Sequence, residues 1–450
     1  MQLPTVKTLS RFVSFRRDAD RRSTAPPSGN GRALSLIAYK TLADGLSKLV
    51  SLAIAVAAAR LLSGEDFGIL ALAMTTGWLI SVASDAGLPL YLAKRLARAQ
   101  AAGHRASFAT VAEVLRIRGV LATVGSAAGL PIALLLAPGA GFLAFWMVVV
   151  AQLLNAVLET LAHAYRGLGR SDIESTIVVS QRLATAAAAI VALQWSPSLL
   201  LLATTLVVPP AVALAASLGT ARRLLASDGL DLPLDIGGEA GSPWSHVPAG
   251  LGILVSALYF RCDVFFIEHW HGLEAVGTYN AAFRIVEALR LFPAAVLAIS
   301  YPALCTARNT AALRALIAPL ATGAVVIAAV VYFSAPFTLA LLFGPRFADA
   351  APALATLALA IPFFFVNYAL THQVIAWDGQ RAYLAVVAAA LLANVIGNLA
   401  LIPSQAMQGA ALSTLATEIV VSIGCVIVLA RLRGRMSWSA AVDTRSRGVA

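Results

Sequence analysis

The chain has 450 residues, of which 59% are apolar and only 12% are charged. A typical soluble domain carries about 25% charged residues, so this composition, with a mean hydropathy of +0.82, excludes an ordinary soluble protein and predicts a polytopic membrane protein. The formal net charge of +11 would also suit a nucleic-acid partner, but its placement along the chain argues against one.

Twelve apolar segments of about 20 residues are predicted to be transmembrane helices, because that length crosses a hydrocarbon core roughly 30 Å thick. They lie at 35–58, 69–88, 115–137, 142–163, 174–194, 198–219, 247–267, 276–302, 314–334, 350–370, 382–402 and 407–430. The division predicted from them is a basic tail at 1–32, a six-helix lobe at 33–219, a polar linker at 220–246, a second six-helix lobe at 247–433 and a tail at 434–450.

Basic residues are concentrated in alternate connections between these segments. About 25 of the 33 lysines and arginines fall in the two tails and in every second connection, whereas only Arg60 and Arg346 lie in the others. The positive-inside rule therefore predicts that both termini face the cytoplasm. Because topology accounts for the basic charge, no nucleic-acid partner is expected.

A short repeat marks the same junction in each half. The first predicted span is followed by LSGEDFGILALA, and the seventh by WHGLEAVGTYNAA. A shift of 209 positions aligns three identities, Glu65 with Glu274, Gly68 with Gly277 and Ala73 with Ala282. Since each half has an even number of spans, such a repeat must be a parallel one.

The stretch Val247–Tyr301 carries charges inside two apolar segments, separated by a polar hinge predicted at Glu268–Gly277. A charge in hydrocarbon costs several kcal/mol unless it is paired or faces water, so these charges predict a polar cavity. Depth along the helices, at about 1.5 Å per residue, sorts the basic residues of the spans into two tiers. The outer tier holds Lys48, Arg261 and Arg284, and the inner tier holds Lys40, Arg182 and Arg290.

Several cationic donors at two depths would suit a diphosphate, because Arg matches phosphate in a bidentate manner. Internal ion pairing is the alternative: Lys40, Asp44 and Lys48 are spaced i, i+4, i+8, and Glu287 lies three residues from both Arg284 and Arg290. Both interpretations stay open. Arg261 is the strongest candidate for substrate contact, since its nearest acid, Asp263, projects from another face of the helix.

Four acidic residues in the spans are candidates for ion coupling, because a carboxyl group in a low-dielectric interior binds a proton more readily. They are Asp44, Asp263, Glu287 and Glu418. A structurally satisfied carboxylate is the alternative for each. No GxxxxGK[ST] motif is present, Cys262, Cys305 and Cys425 have no zinc-site spacing, and no catalytic residues, metal or cofactor are expected.

Three segments resemble the polysaccharide-transporter (Wzx-type) flippases of the multidrug/oligosaccharidyl-lipid/polysaccharide (MOP) exporter superfamily. They read LLSGEDFGILALA, RCDVFFIEHWHGLEAVGTYNAAFRI and NLALIPSQAMQGAALSTLATEIV. The resemblance, which covers about 33 to 433, implies an all-α membrane protein with two parallel six-helix bundles around a central cavity, as in MATE transporters. It also implies a bacterial inner-membrane protein that moves undecaprenyl-diphosphate-linked oligosaccharides between leaflets by rocking of the lobes, without ATP hydrolysis.

We therefore expect a flippase, not an enzyme, that serves O-antigen or exopolysaccharide export. Its partners would be the lipid-linked oligosaccharide, membrane lipids, and the polymerase and glycosyltransferases of the same pathway. A multidrug/cation antiporter of the same superfamily is the first alternative, and it predicts an acidic cavity. A membrane enzyme acting on lipid-linked glycans is the second, and it predicts a large outer loop with catalytic groups.

Overall fold

The computed structural model describes the backbone of residues 30–104, 106–225, 247–306 and 311–447, which are helical apart from short connections. The N-terminal half contains α1 (Asn30–Leu61), α2 (Gly64–Ala83), α3 (Leu88–Ala101), α4 (Phe108–Leu136), α5 (Gly141–Gly167), α6 (Ser171–Trp195) and α7 (Leu199–Leu224). The C-terminal half contains α8 (Val247–Arg261), α9 (Asp263–Leu289), α10 (Leu291–Thr306), α11 (Ala311–Leu342), a 3-10 helix (Pro345–Ala350), α12 (Ala351–Ala376) and α13 (Gln380–Arg447).

Nine elements of the described chain are long and apolar enough to cross a membrane. Two of them, Gly250–Leu297 and Gln380–Gly434, have 48 and 55 residues and are too long for one crossing. Each is divided by a residue with positive φ, Gly272 at 77° and Ala406 at 48°. Counting these two as pairs and adding the 32-residue α1 gives the twelve crossings that the sequence predicts.

The side-chain pairs on either side of Gly272 show that the chain reverses there. Arg261 bonds to Asn280 and Asp263 bonds to Tyr279, so residues before the break meet residues at similar distances after it, as they do in an antiparallel helical hairpin. The same mirror pattern, Gly397 beside Ser413 and Asn394 bonded to Thr417, surrounds Ala406. In each long element, the segment before the break and the segment after it therefore cross the membrane in opposite directions.

The structure corrects two sequence expectations. The polar hinge predicted at Glu268–Gly277 is helical except for Gly272, because the histidines and Glu274 are compatible with a helix end. The connection after α2 contains the amphipathic helix α3, which was not predicted because basic residues interrupt its apolar ones. Leu92, Leu96 and Ala99 are buried on one face of α3.

Most helix packing occurs within each half. Helix α5 packs against α2, α3, α4 and α7, whereas α12 packs against α11 and α13, and α13 packs against α8 and α9. The principal contact between the halves is that of α2 with α9, supplemented by α1 with α9 and α2 with α8. The predicted tail at 1–32 and linker at 220–246 lie almost entirely outside the described residues.

Because the crossings alternate in direction, the connections fall into two sets at opposite ends of the helices. The distal end is defined here by the turns at 62–63, 137–140, 196–198, 272, 343–350 and 406. The basic end carries the other connections and the arginine clusters.

Candidate functional site

A cavity between the two halves lies near mid-length of the helices and encloses about 670 Å³, counting the space open to solvent. Helices α1, α2, α5 and α6 form most of its wall, and α9 contributes Asn280 and Arg284. The polar residues of the wall are Ser51, Gln152, Asn155, Gln181, Arg182, Thr185, Asn280 and Arg284. None of the described residues that line this cavity is acidic.

Two guanidinium groups provide the positive charge of the cavity. Arg182 lies on α6, and Arg284 faces it from α9. Arg284 donates to Glu287 Oε2 at 2.9 Å and contacts the Met74 sulfur at 3.3 Å. The Nε atom of Arg284 is buried without a hydrogen-bond partner among the described residues, so the protein does not satisfy every donor of this guanidinium.

Amide side chains supply neutral polar groups on the same wall. Gln152 donates to the Met74 carbonyl at 3.2 Å, Asn155 to the Ala151 carbonyl at 2.8 Å, and Gln181 to Thr185 Oγ1 at 3.0 Å. Each amide therefore has an orientation fixed by one internal bond and keeps further donor and acceptor capacity.

Arg261 is held in a packed contact between the halves. Its side chain is 5% exposed and donates to Thr75 Oγ1 and to Asn280 Oδ1, both at 2.9 Å. The guanidinium also lies 4.6 Å from the centre of the Phe283 ring. Because Asn280 lines the cavity, Arg261 orients a cavity residue without lining the cavity itself.

Lys48 and Arg290 do not line this cavity, although both lie within electrostatic range of Glu287, the partner of Arg284. Lys48 is exposed on α1, and Arg290 stacks over the rings of Phe260 at 3.9 Å and Phe364 at 5.4 Å. The side chain of Lys40 lies outside the described residues. The structure thus groups Arg182 with Arg284 across the two predicted tiers, because depth along a helix does not specify the direction in which a side chain points.

The acids assigned to ion coupling have separate environments. Asp263, 1% exposed, accepts from the Tyr279 hydroxyl at 2.5 Å, and Glu418, 3% exposed, accepts from Asn367 Nδ2 at 2.7 Å. Glu287 forms the ion pair with Arg284, and the side chain of Asp44 lies outside the described residues. Within the described chain, no group of three or more His, Cys, Asp or Glu side chains is placed to hold a metal ion.

Two cavity residues, Gln152 and Gln181, were not predicted from the sequence. A signal for them exists, because Gln152 is three residues before Asn155 and Gln181 is four residues before Thr185 in otherwise apolar helices. Such spacings place polar groups on one helix face. Polar faces on two adjacent helices indicate a shared polar surface.

Toward the distal end, the cavity is closed by the contact between α2 and α9. A Cβ atom on Gly68 would lie 1.8 Å from the Leu273 carbonyl oxygen, and one on Gly277 would lie 3.1 Å from the Gly64 carbonyl oxygen. With the shift of 209 found in the sequence, these two contacts are equivalent, as expected for matching surfaces about a two-fold axis. The aligned glycines therefore lie beside that axis.

Several solved transporter structures have the same fold as this chain. The chain matches an inward-facing multidrug resistance MATE family transporter of the MOP superfamily at 14% identity and a TM-score of 0.67, covering 86% of this chain and 95% of that one. An outward-facing MATE transporter matches at 16% identity and a TM-score of 0.61, covering 89% and 95%. A MOP superfamily transporter from Pyrococcus furiosus, described as having a binding pocket of reverse polarity, matches at 14% identity and a TM-score of 0.62, also covering 89% and 95%.

No curated protein matches the chain significantly. The family model described as polysaccharide biosynthesis protein matches residues 34–308, which is more than half of the chain. The resemblance to the MOP superfamily seen in the sequence is thereby confirmed. This multi-pass membrane protein has the MATE-like fold and belongs to the polysaccharide biosynthesis protein family.

Proposed function

We propose that the protein is a flippase that moves undecaprenyl-diphosphate-linked oligosaccharide across the bacterial inner membrane for export of a polysaccharide such as O-antigen or exopolysaccharide. The observation that carries this proposal is the chemistry of the cavity, in which Arg182 and Arg284 accompany amide side chains and no described lining residue is acidic. Guanidinium groups bind phosphate oxygens, and amides both donate to and accept from sugar hydroxyls.

The ion pair between Arg284 and Glu287 gives the proposed site a means of release. A diphosphate must compete with Glu287 for the guanidinium, so the net gain on binding is smaller than for an unpaired arginine. A transporter needs such moderate affinity, because a substrate that is bound too tightly does not leave. After the diphosphate is released, Glu287 is close enough to form its ion pair with Arg284 again.

The closed distal end supports an assignment of the access state. We assign the basic end to the cytoplasm, on the positive-inside rule, so the structure represents a state closed toward the periplasm. The TM-score of 0.67 to an inward-facing relative and 0.61 to an outward-facing one agrees with this assignment.

The alternative function, multidrug/cation antiport, is supported by the shared fold alone. A cationic drug needs a negative or aromatic surface, whereas the described wall of this cavity contributes two arginines. The MOP transporter with a pocket of reverse polarity is a precedent for this fold with a different pocket charge.

The proposal is tested with the purified protein in liposomes that contain fluorescent undecaprenyl-diphosphate-linked oligosaccharide. Wild-type protein should expose the label of the inner leaflet to an external quencher without any covalent change to the lipid. R182A and R284A should each slow this exposure about tenfold or more, since each removes a charge-assisted contact of about 1.5–3 kcal/mol. R381A, which removes an exposed arginine at the basic end, is the matched control and should transport normally.

Other outcomes would assign the protein differently. Unchanged transport in both cavity variants would contradict the assigned site. Exchange of a cationic drug for protons or sodium, without lipid flipping, would establish the antiporter. A covalently altered lipid product would establish an enzyme.

A further inference from the structure

Two arginines bridge the halves at the distal end, and each one binds the helix terminus of the other half. Arg60, in the last turn of α1, donates through Nε to the Leu342 carbonyl at 2.8 Å and through Nη2 to the Leu341 carbonyl. These carbonyls belong to the last two residues of α11. The N-terminal half thus caps a helix of the C-terminal half.

The second arginine forms the reverse connection. Arg346, in the 3-10 helix that follows α11, donates through Nη2 to the Leu62 carbonyl at 2.7 Å and to the Ala59 carbonyl. Both carbonyls lie at the C-terminus of α1. Arg346 also lies 4.9 Å from the Phe347 ring, which packs edge-on against Phe67 of α2 at 5.6 Å.

Helix C-termini are suitable acceptors for these arginines. The last four carbonyls of a helix have no partner within that helix and carry part of the negative end of its dipole. A guanidinium offers five donors and a fixed positive charge. Since all four bonds cross from one half to the other, they exist only while the distal ends of α1 and α11 are together.

The sequence gives an independent reason to regard this arrangement as functional. Arg60 and Arg346 are the only arginines or lysines that the described chain places at the distal end, and such residues on that side oppose the bias that orients membrane proteins. A structural need that is specific to the distal end accounts for both exceptions.

We propose that Arg60 and Arg346 form a reciprocal latch that stabilises the state closed at the distal end and thereby sets the ratio of the two access states. They are positioning residues that act on the movement of the halves and do not touch the substrate. The inference rests on the proposed alternating access but not on the identity of the substrate.

The experiment measures the distance between spin labels on A140C and S404C by pulsed electron paramagnetic resonance. The labelled protein lacks the native cysteines and is placed in nanodiscs. Both positions are exposed at the distal end, one in each half. Wild-type protein should give one predominant short distance. R60Q with R346Q should increase the ratio of long to short distances roughly tenfold, since four helix-terminus contacts are lost.

Matched variants distinguish loss of the latch from a general disturbance of the fold. R60K with R346K keeps the charge near each terminus and should give an intermediate ratio. R381Q, at the basic end, should leave the ratio unchanged. If the double variant fails to fold, R60Q alone serves, because Arg60 is exposed and its loss should still increase the long-distance fraction severalfold.

The same labels distinguish failure of the latch from failure of the proposed function. If undecaprenyl-diphosphate-linked oligosaccharide shifts the wild-type distances but the latch variants do not, the latch is wrong and alternating access stands. If no condition changes the distance in wild-type or variant protein, both proposals are wrong.

Discussion

The amides Gln152 and Gln181 of the N-terminal half face a cavity, whereas Asn394 and Asn398 of the C-terminal half bond to one another. Gln152 and Gln181 each use one internal hydrogen bond and line open space. Asn394 instead accepts from Asn398 at 2.8 Å and donates to Thr417 at 3.1 Å. The same side-chain type thus lines open space on α5 and α6 and forms contacts between polar side chains on α13.

This difference follows from the properties of the bilayer. Polar groups inside a membrane protein must be satisfied by protein, water or ligand, because lipid tails offer no partners. Where helices pack closely, as α12 and α13 do, neighbouring side chains provide those partners. Where they separate around a cavity, the partners are water and substrate. The comparison predicts that substitutions of the closely packed polar residues of α12 and α13 affect stability, and that substitutions of the residues lining the cavity affect transport.

The largest effect on stability is expected at Asn367. Its amide donates to both the backbone carbonyl and the carboxylate of Glu418, and its oxygen accepts from Ser422 at 2.6 Å. N367L leaves a buried carboxylate without this donor and should lower the free energy of unfolding by about 1–3 kcal/mol. Thermal unfolding in detergent measures the loss. E418Q, which keeps an acceptor oxygen, is the control and should lose less; equal stability of N367L and wild-type protein would contradict the structural role.

A cavity amide should show the opposite pattern. Q181L should weaken binding of lipid-linked oligosaccharide about fivefold, because one hydrogen bond to a sugar is worth roughly 1 kcal/mol, and should leave binding of undecaprenyl diphosphate unchanged. Binding of both lipids to detergent-solubilised protein is compared by thermal shift. A loss of stability comparable to that of N367L, without the selective loss of affinity, would remove the distinction between the halves.

A matched pair of asparagines gives a smaller and more direct comparison. N394L should lower the free energy of unfolding by about 0.6 kcal/mol, the average for an interhelical polar contact in membranes. N155L should change it less, since Asn155 bonds only to a carbonyl of its own helix among its described hydrogen bonds. The two unfolding midpoints are measured side by side, and a larger loss in N155L would contradict the comparison.

The smallest expected effect is on the pH dependence of stability. It concerns Asp85, which lies between α2 and α3 at the basic end. Burial raises the pKa of Asp85 above its ordinary value of 3.8, an effect partly opposed by the charge of Arg118. Since the folded state then holds the proton more tightly than the unfolded state, this group contributes stability at low pH that is lost as pH rises through the folded pKa. D85N should flatten this part of the stability profile; a profile identical to that of wild-type protein would show that Asp85 does not contribute.

Twelve crossings are predictable from the sequence because each span must be about 20 apolar residues long, whatever its neighbours. Helix α3 is not predictable in this way, because basic residues interrupt its apolar ones and the segment resembles a polar connection. The turn at Gly272 lies inside the hinge predicted at Glu268–Gly277, but its short length is not predictable, since a single residue with positive φ suffices and the polar residues around it stay helical.

The cavity illustrates a second limit. Arg182 and Arg284 can be selected as buried cations, and their depth follows from the helical rise. Their meeting in one cavity depends on how α6 and α9 are rotated and placed, which is a property of tertiary packing. Arg261, at a similar depth to Arg284, instead points into the contact with Thr75 and Asn280.

The charge of the cavity has an electrical consequence for transport. A diphosphate diester carries two negative charges. Under the proposed function, with the basic end in the cytoplasm, its export would move these charges toward the positive side of the membrane. That movement releases about 2.3 kcal/mol per charge at 100 mV. Arg182 and Arg284 would balance the dianion if they travelled through the same field, and Glu287, already paired with Arg284, would leave one negative charge in excess. Under the proposed function, the pairing of Arg284 with Glu287 would therefore influence how much of the membrane potential drives export.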